Sequence, residues 1–234
     1  QVGGQDWVTY EERGRLIFQD DDGLMDLPLP ALAGTHQLMN AGTAIAAAKA
    51  AGLGFTDEQI SDGLRHANWP ARLMPLRDHP LLNALPDGAE LWLDGGHNPA
   101  AGKVLAAHLA DRQARDPRPL YLICGMLNTK DASGYLACFA ELNPTLLAVP
   151  IPDEQNSLDA DSLTQAAKAA GLNAAPCADV EAAIAQITEP RARVMICGSM
   201  DMLKEHKALC EEVGMTEGAN SEPGHFVIEK AFVD

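Results

Sequence analysis

The 234-residue sequence is short of positive charge, of cysteine and of long apolar runs, and each shortage excludes something. Lysine and arginine number 17 against 33 aspartates and glutamates, a net charge of −16. A field of that sign repels phosphate backbones and anionic lipid, so neither nucleic acid nor a membrane surface is expected as a partner. Small anionic ligands stay admissible, because a few local cations override a distant mean field. The five cysteines form no metal-type pair, and no metal site is predicted from them. Cys124 and Cys197 each follow an isoleucine at the end of an apolar run, which reads as buried free thiols of a reduced, cytoplasmic protein. No run approaches the ~20 apolar residues of a membrane span. The opening QVGGQDWVTYEERG has no signal-peptide character and no initiating Met, and reads as a chain entered midway.

A phosphate loop is missing as well. GGHNPAAGKV, residues 95–104, comes near one, but five residues rather than four separate Gly96 from Gly102. Val104 also stands where a magnesium-binding Ser or Thr is needed, and no other Gly-Lys pair occurs.

What is present is enough apolar material, 47% of residues, for one sizeable core or for one domain and part of another. Residues 6–30 read as short strands with turns at Arg13-Gly14 and Asp22-Gly23, ended by Pro28 and Pro30. An alanine-rich helix follows, capped by Thr35 and closed by Gly52 or Gly54, its alanines implying close approach to another element. TDEQISDGLRHA, capped by Thr56, is a second helix. Residues 68–88 hold four prolines and no period, and read as a linker with an irregular arm.

Beyond it strand and helix alternate. Strands are predicted at 90–94, 119–124, 145–150, about 193–197 and 226–233. Helices are predicted at roughly 99–113, 132–142, 159–170, 179–188 and 200–213. This is the pattern of an α/β fold, a mostly parallel Rossmann-like sheet with helices on both faces. Residues 1–76 would form a strand-plus-helix remnant of another domain, and 77–234 the Rossmann-like domain. Right-handed crossovers would bring the turns after Asp94, Cys124 and Cys197 to one carboxyl edge, where such sheets bind ligands.

LDGGHNP, residues 93–99, sits at that edge. Asp94 ends a strand, Gly95 and Gly96 allow a tight turn with bare amides, and Pro99 suits the first turn of a helix. A helix start with free amides attracts an anion. The alternative is that Asp94 and Asn98 only cap the turn.

LDGGHNP closely resembles the Asp-Gly-Ala-His-Asn signature of folylpolyglutamate synthase/dihydrofolate synthase, a relative of the Mur ligases. Three more stretches resemble that family's motifs in its order. They are LPLPALAGTHQLMNAGTAIAAA (27–48), WPARL (69–73, with Ala71 in place of a glycine) and GMLNTKD (125–131, with Thr129 replacing an aspartate). The resemblance covers roughly residues 1–195, the end of an ATP-binding domain and most of a C-terminal domain. It implies an ATP-dependent ligase that adds glutamate to folate or dihydropteroate through an acyl phosphate. It maps Asn40, Arg72 and Asp94 to ATP, with Arg72 on phosphate. His97, Asn98, Lys130 and Asp131 map to the substrate side. It also implies magnesium, although the family's phosphate loop, magnesium ligands and modified lysine come earlier in its sequence and none is found here. The chain alone is therefore expected not to turn over, and no catalytic residue is assigned.

From about residue 194 a second resemblance takes over. RVMICGSMDMLKEHKALCEEVGMTEGANSEPGHFVIEKAFVD is similar to the C-terminus of bacterial ferredoxin–NADP reductases. That maps Cys197, Gly198, Ser199 and, more weakly, Phe232 to a nicotinamide- or flavin-proximal position. The family's FAD barrel and Arg-x-x-Ser motif are missing, so neither NADP nor FAD is expected to bind. The tail would serve as one helix and one edge strand closing the sheet, with Met202, Leu203, Leu209 and Val213 facing it. The expected reading is a ligase fragment with a reductase-derived closing unit. A non-catalytic chimeric or designed scaffold, and an NADP-binding oxidoreductase fragment, stand as alternatives. An exposed apolar face on 1–76 would drive self-association.

Overall fold

A computed structural model describes residues 2–69, 71–77 and 79–203, together with the strand backbones of 215–217 and 226–228. The chain divides into two compact units, residues 1–69 and 70–234.

The first unit is a three-stranded antiparallel meander, β1 (Trp7–Glu12), β2 (Arg15–Asp20) and β3 (Gly23–Pro28), carrying helices α1 (His36–Ala50) and α2 (Asp57–His66). Its turns fall at the predicted Arg13-Gly14 and at Asp21-Asp22, with Arg13 at φ 51° and Gly14 at φ 73°. Trp7, Leu16, Phe18 and Leu27 pack against Ala41, Ile45 and Ala46 of α1. Gly42 faces the rings and methyls of Trp7 and Thr9 so closely that a Cβ would overlap them. The alanine-rich helix lies flush on the sheet for that reason. Gly52 ends α1 at φ 68°, with its N–H on the Lys49 carbonyl. Thr56 caps α2 in a reciprocal box with Gln59, whereas Thr35 occupies the N-cap of α1 without a side-chain bond. Lys49 is paired with Asp20 and Asp22. Burial pushes the Asp20 carboxyl up, and its bond to Lys49 draws it below its ordinary value.

The second unit is built on a six-stranded sheet of order β4-β5-β9-β6-β7-β8. The strands are β4 (Met74–Leu76), β5 (Glu90–Asp94), β6 (Leu120–Gly125), β7 (Thr145–Ala148), β8 (Asn173–Pro176) and β9 (Arg193–Gly198). All neighbours are parallel except β4, which runs antiparallel to β5. The connecting helices are α3 (Pro80–Asn83), α4 (Pro99–Arg115), α5 (Ala132–Ala137), α6 (Ala160–Ala169) and α7 (Val180–Ala185). One face of the sheet joins Leu91, Leu93, Ile123, Val194 and Ile196 to Val180, Ala183 and Ile184 of α7. Alternate residues, Leu122, Cys124, Met195 and Cys197, are buried on the other face. This is the expected α/β architecture with a mostly parallel sheet.

Several particulars differ from expectation. The unit boundary lies at Trp69/Pro70 rather than at 76, because β4 joins the main sheet and Ala71, Leu73 and Leu76 are buried in the second unit. The presumed linker therefore contains β4 and α3. Strand β8, NAAP, lacks the β-branched residues that mark a strand and escaped the sequence reading. The helix expected over 132–142 is split into α5 and a 3-10 turn at Ala140–Leu142, which Asn143 ends at φ 46°. After β9 the chain forms a 3-10 turn, Met200–Leu203, in which Met202 and Leu203 are buried as expected. Leu209, Val213 and Phe232 lie outside the described residues. Strands β10 (Met215–Glu217) and β11 (Phe226–Ile228) pair antiparallel with each other in a separate two-stranded sheet. The expectation that the tail strand closes the main sheet is therefore not met by the described residues 226–228, which pair with β10 instead.

Candidate functional site

Register alone assembles the site. Asp94 pairs with Cys197, Cys197 with Cys124, and Gly198 with Gly125 across β5, β9 and β6. The three turns that leave these strands therefore open at one carboxyl rim.

Asp94 is 8% exposed and its carboxylate is bonded to backbone. Oδ1 accepts the Gly96 N–H at 2.8 Å and Oδ2 accepts the Leu73 N–H at 3.0 Å. Gly95 N–H donates to the Ala71 carbonyl at 2.8 Å. Segment 71–73 is thereby stitched to the turn after β5. Arg72, between two buried residues, is exposed, and its Nη1 stands 3.5 Å from where a Cβ on Gly95 would be. Gly96 is required in the same sense, since a Cβ there would come within 2.8 Å of Asp94 Oδ1 and 2.9 Å of the Ala101 methyl. Arg72, Asp94 and the glycine turn are brought together as expected.

His97 is half-buried, with Nδ1 2.9 Å from the Gly95 carbonyl oxygen. A carbonyl can only accept, so Nδ1 carries the hydrogen and Nε2 is left for other chemistry. Asn98 is the N-cap of α4, its side-chain oxygen accepting the Ala101 N–H at 3.0 Å, and Pro99 follows at the first position. Asp131 plays the same part for α5, accepting the Gly134 N–H at 2.8 Å. The capping reading of Asn98 is thus realised, and both polar residues are engaged with backbone. Lys130 is exposed on the turn between β6 and α5, whose Asn128 N–H is held by the Asn156 carbonyl at 2.7 Å. The starts of α4 and α5 are neighbours, because a Cβ on Gly134 would lie 3.0 Å from Pro99. Asn40, on α1 of the first unit, is exposed and donates to the Gln37 side chain at 2.9 Å.

Cys197, Gly198 and Ser199 close the rim from β9. Gly198, at φ +100°, lies so near the Gly125 carbonyl that a side chain would run into it, and the Ser199 N–H donates to the same carbonyl at 2.8 Å. Beneath the rim the thiols of Cys124 and Cys197 and the side chain of Tyr135 are all buried. Bonding to Cys197 and then burial push the Cys124 thiol well up. Burial, ahead of the neighbouring thiols and Asp94, does the same to Tyr135. Tyr135, Leu73 and Asn156 were missed by sequence reasoning. Their parts are played through backbone groups and packing, which carry no residue signature. Among the described residues no cluster of three or more His, Cys, Asp or Glu could hold a metal. None of the described helices is long and apolar enough to cross a membrane.

With this geometry in view, residues 82–200 match the Mur ligase glutamate ligase domain. A probable bifunctional folylpolyglutamate synthase/dihydropteroate synthase of Halobacterium salinarum is 31% identical over 207 residues, 85% of this chain and 23% of that protein. A bifunctional folylpolyglutamate synthase/dihydrofolate synthase crystallised with Mn, AMPPNP and L-glutamate is 25% identical with a TM-score of 0.71, covering 89% of this chain and 47% of that one. The tail region is similar to a flavodoxin/ferredoxin–NADP reductase of Rhodobacter capsulatus, 46% identical over 50 residues, 21% of this chain and 18% of that protein. The chain spans less than half the length of each of these proteins. A parallel sheet with a glycine-lined carboxyl rim and a family match over half its length place this chain in the Mur ligase family, as a bearer of its glutamate ligase domain.

Proposed function

We propose that the rim at Arg72, Asp94 and His97 is the nucleotide- and glutamate-facing surface of an ATP-dependent ligase that extends folate or dihydropteroate with glutamate. In that reaction a substrate carboxylate oxygen attacks the terminal phosphorus of ATP, ADP departs, and an acyl phosphate forms. The glutamate amine then attacks the acyl carbon, phosphate leaves with the bonding pair, the amine gives up a proton, and an amide results. Arg72 supplies a fixed fork of donors for phosphate oxygens at the mouth of the rim. By the same resemblance Asn40 is read as a nucleotide contact. His97 Nε2 and Lys130 face the incoming glutamate, Lys130 as a carboxylate partner. Asn98 and Asp131 set the starts of α4 and α5 behind them. A divalent ion, when bound, spreads the phosphoryl charge, but the described residues do not form a ligand set for one.

The observation that carries this reading is the exposed Arg72 guanidinium beside the glycine turn of a glutamate ligase domain; the expected bare amides are not part of it, because the Gly95 and Gly96 N–H groups are taken by the Ala71 carbonyl and the Asp94 carboxylate. The chain holds no phosphate loop, so it binds without completing the reaction by itself. The reductase-like tail favours a second reading, a chimera whose Cys197-Gly198-Ser199 turn meets a nicotinamide. Exposed Val8, Tyr10 and Leu24 on the sheet of the first unit give a face for self-association. Calorimetric titration with L-glutamate, MgATP and NADP separates the readings. Heat with glutamate or MgATP, weakened by Lys130→Ala and Arg72→Ala respectively, is expected. Binding of NADP alone would sink the ligase assignment.

A further inference from the structure

Gly95 is a glycine that its own backbone does not require. Its φ lies outside the left-handed region, so an alanine there would carry no conformational strain. The bare side of its Cα is nonetheless filled. A Cβ would stand 3.3 Å from Met200 Cγ, 3.5 Å from Arg72 Nη1 and 3.6 Å from the Ala71 carbonyl oxygen. Arg72 and Met200 thus flank one bare Cα, the arginine exposed and the methionine buried. Met200 is the last residue of the ligase-domain match and lies in the reductase-like stretch. It opens the 3-10 turn Met200–Leu203, whose position is fixed at both ends. The Ser199 N–H is on the Gly125 carbonyl, the Ser199 hydroxyl accepts the Asp201 N–H at 3.3 Å, and Met202 and Leu203 are sunk in the core. Met202 Cε in turn approaches the bare side of Gly125, 3.3 Å from where a Cβ would be. One short turn therefore meets both glycines at which the chain leaves β5 and β6.

We infer that Met200 is a positioning residue, which seats the Arg72 guanidinium by walling the notch over Gly95, so that the first turn of the reductase-like tail is a working part of the ligase rim. A guanidinium is weakly hydrated and packs on apolar stems. An arginine left unsupported spreads over many rotamers, and a ligand that fixes it bears the loss of that freedom. With the wall in place the fork of donors is held in one pose before a ligand arrives. Met200 is 6% exposed, so it acts through Arg72 rather than by contact with the ligand. The inference rests on the nucleotide reading of the rim for its functional half only.

The seat is read without any ligand. The heteronuclear NOE of the Arg72 Nε–H group should lie near backbone values in the parent, fall in Met200→Ala, and return in Met200→Leu, which restores the apolar wall. A value typical of a free side chain in the parent, or no fall in Met200→Ala, would refute the seat; the parent measurement stands even if the alanine variant fails to fold. The functional half is read as MgATP affinity by calorimetry. Arg72→Ala should weaken MgATP by roughly tenfold or more, as for loss of a charge-assisted bond. Met200→Ala should weaken it by roughly two- to tenfold, the effect of fixing one rotamer-rich side chain. The double variant should be no weaker than Arg72→Ala, since both act through one contact. Met202→Ala, the same truncation at Gly125, should leave MgATP affinity where it was, and Met200→Ala should leave L-glutamate affinity unaltered. Losses that multiply, an equal loss from Met202→Ala or a loss of glutamate affinity would overturn the inference, because Met200 would then act apart from Arg72. If no form of the chain binds MgATP while Arg72 behaves as stated, the nucleotide reading fails and the seat stands.

Discussion

Replacing Gly198 by alanine should be among the most damaging single-methyl changes in the second unit, and its cost can be worked from the backbone. Gly198 has φ +100°, where an L side chain is strained by about 1–2 kcal/mol. The added Cβ would overlap the Gly125 carbonyl oxygen and lie 3.3 Å from Cys124 Sγ. Ordinary C···O contacts fall near 3.3–3.6 Å, so β6 and β9 would have to part by on the order of 1 Å. Overpacking of that kind costs about 1–3 kcal/mol. It also breaks the Ser199 N–H bond to the same carbonyl, worth about 1 kcal/mol. The expected loss is about 3–6 kcal/mol. Gly171 supplies the control, because it has φ +88° but open space around its Cβ position, so its alanine variant should lose only the strain of about 1–2 kcal/mol. Urea unfolding followed by Trp92 fluorescence, in a background with Trp7→Phe and Trp69→Phe, reads the second unit. Equal losses for the two alanines would refute the close-approach argument, since only backbone strain would then be at issue.

Arg193, 1% exposed, bonds the Glu90 carboxylate, the Gln113 side chain and the Asp116 carbonyl beneath the opposite end of the sheet. Arg193→Ala should cost about 3 kcal/mol, the low end for breaking a buried pair, because Glu90 is partly exposed and keeps Arg112 at 3.0 Å. A urea midpoint shifted by under a quarter of that would show that water replaces the guanidinium. Tyr121 donates to Glu189, and burial first, then that carboxylate, pushes its hydroxyl up to about 12 from the usual 10. Since the folded value is the higher one, the contribution of this group is complete below pH 10 and is lost as pH climbs from 10 through about 12. Thermal melts across that window should fall less steeply for Tyr121→Phe than for the parent. Parallel curves would contradict the assignment.

The alternation of strand and helix from residue 90, the turns at Arg13 and Asp22, the Thr56 cap and the glycine-rich rim were all legible, because each depends on local pattern or on a residue type with few conformational uses. The candidate site was legible only as a set of residues. Asn98 and Asp131 were legible as polar groups at the rim, but that each also caps a helix rests on which backbone N–H its oxygen meets. The Pro-rich stretch concealed β4, because a three-residue strand has no period to detect and takes its place from pairing with Leu91–Leu93.

By itself the sequence determined the class of fold, the end of the sheet at which the glycine turns open, and the kinds of residue gathered there, since these follow from periodicity, right-handed crossovers and glycine turns. Only the tertiary structure decided what those residues do to one another. Asp94 and Leu73 are twenty-one positions apart, and no local rule joins them. The bond exists because β4 lies antiparallel on β5 and returns the chain to the rim, where a buried carboxylate must find donors and two left-handed residues must be held.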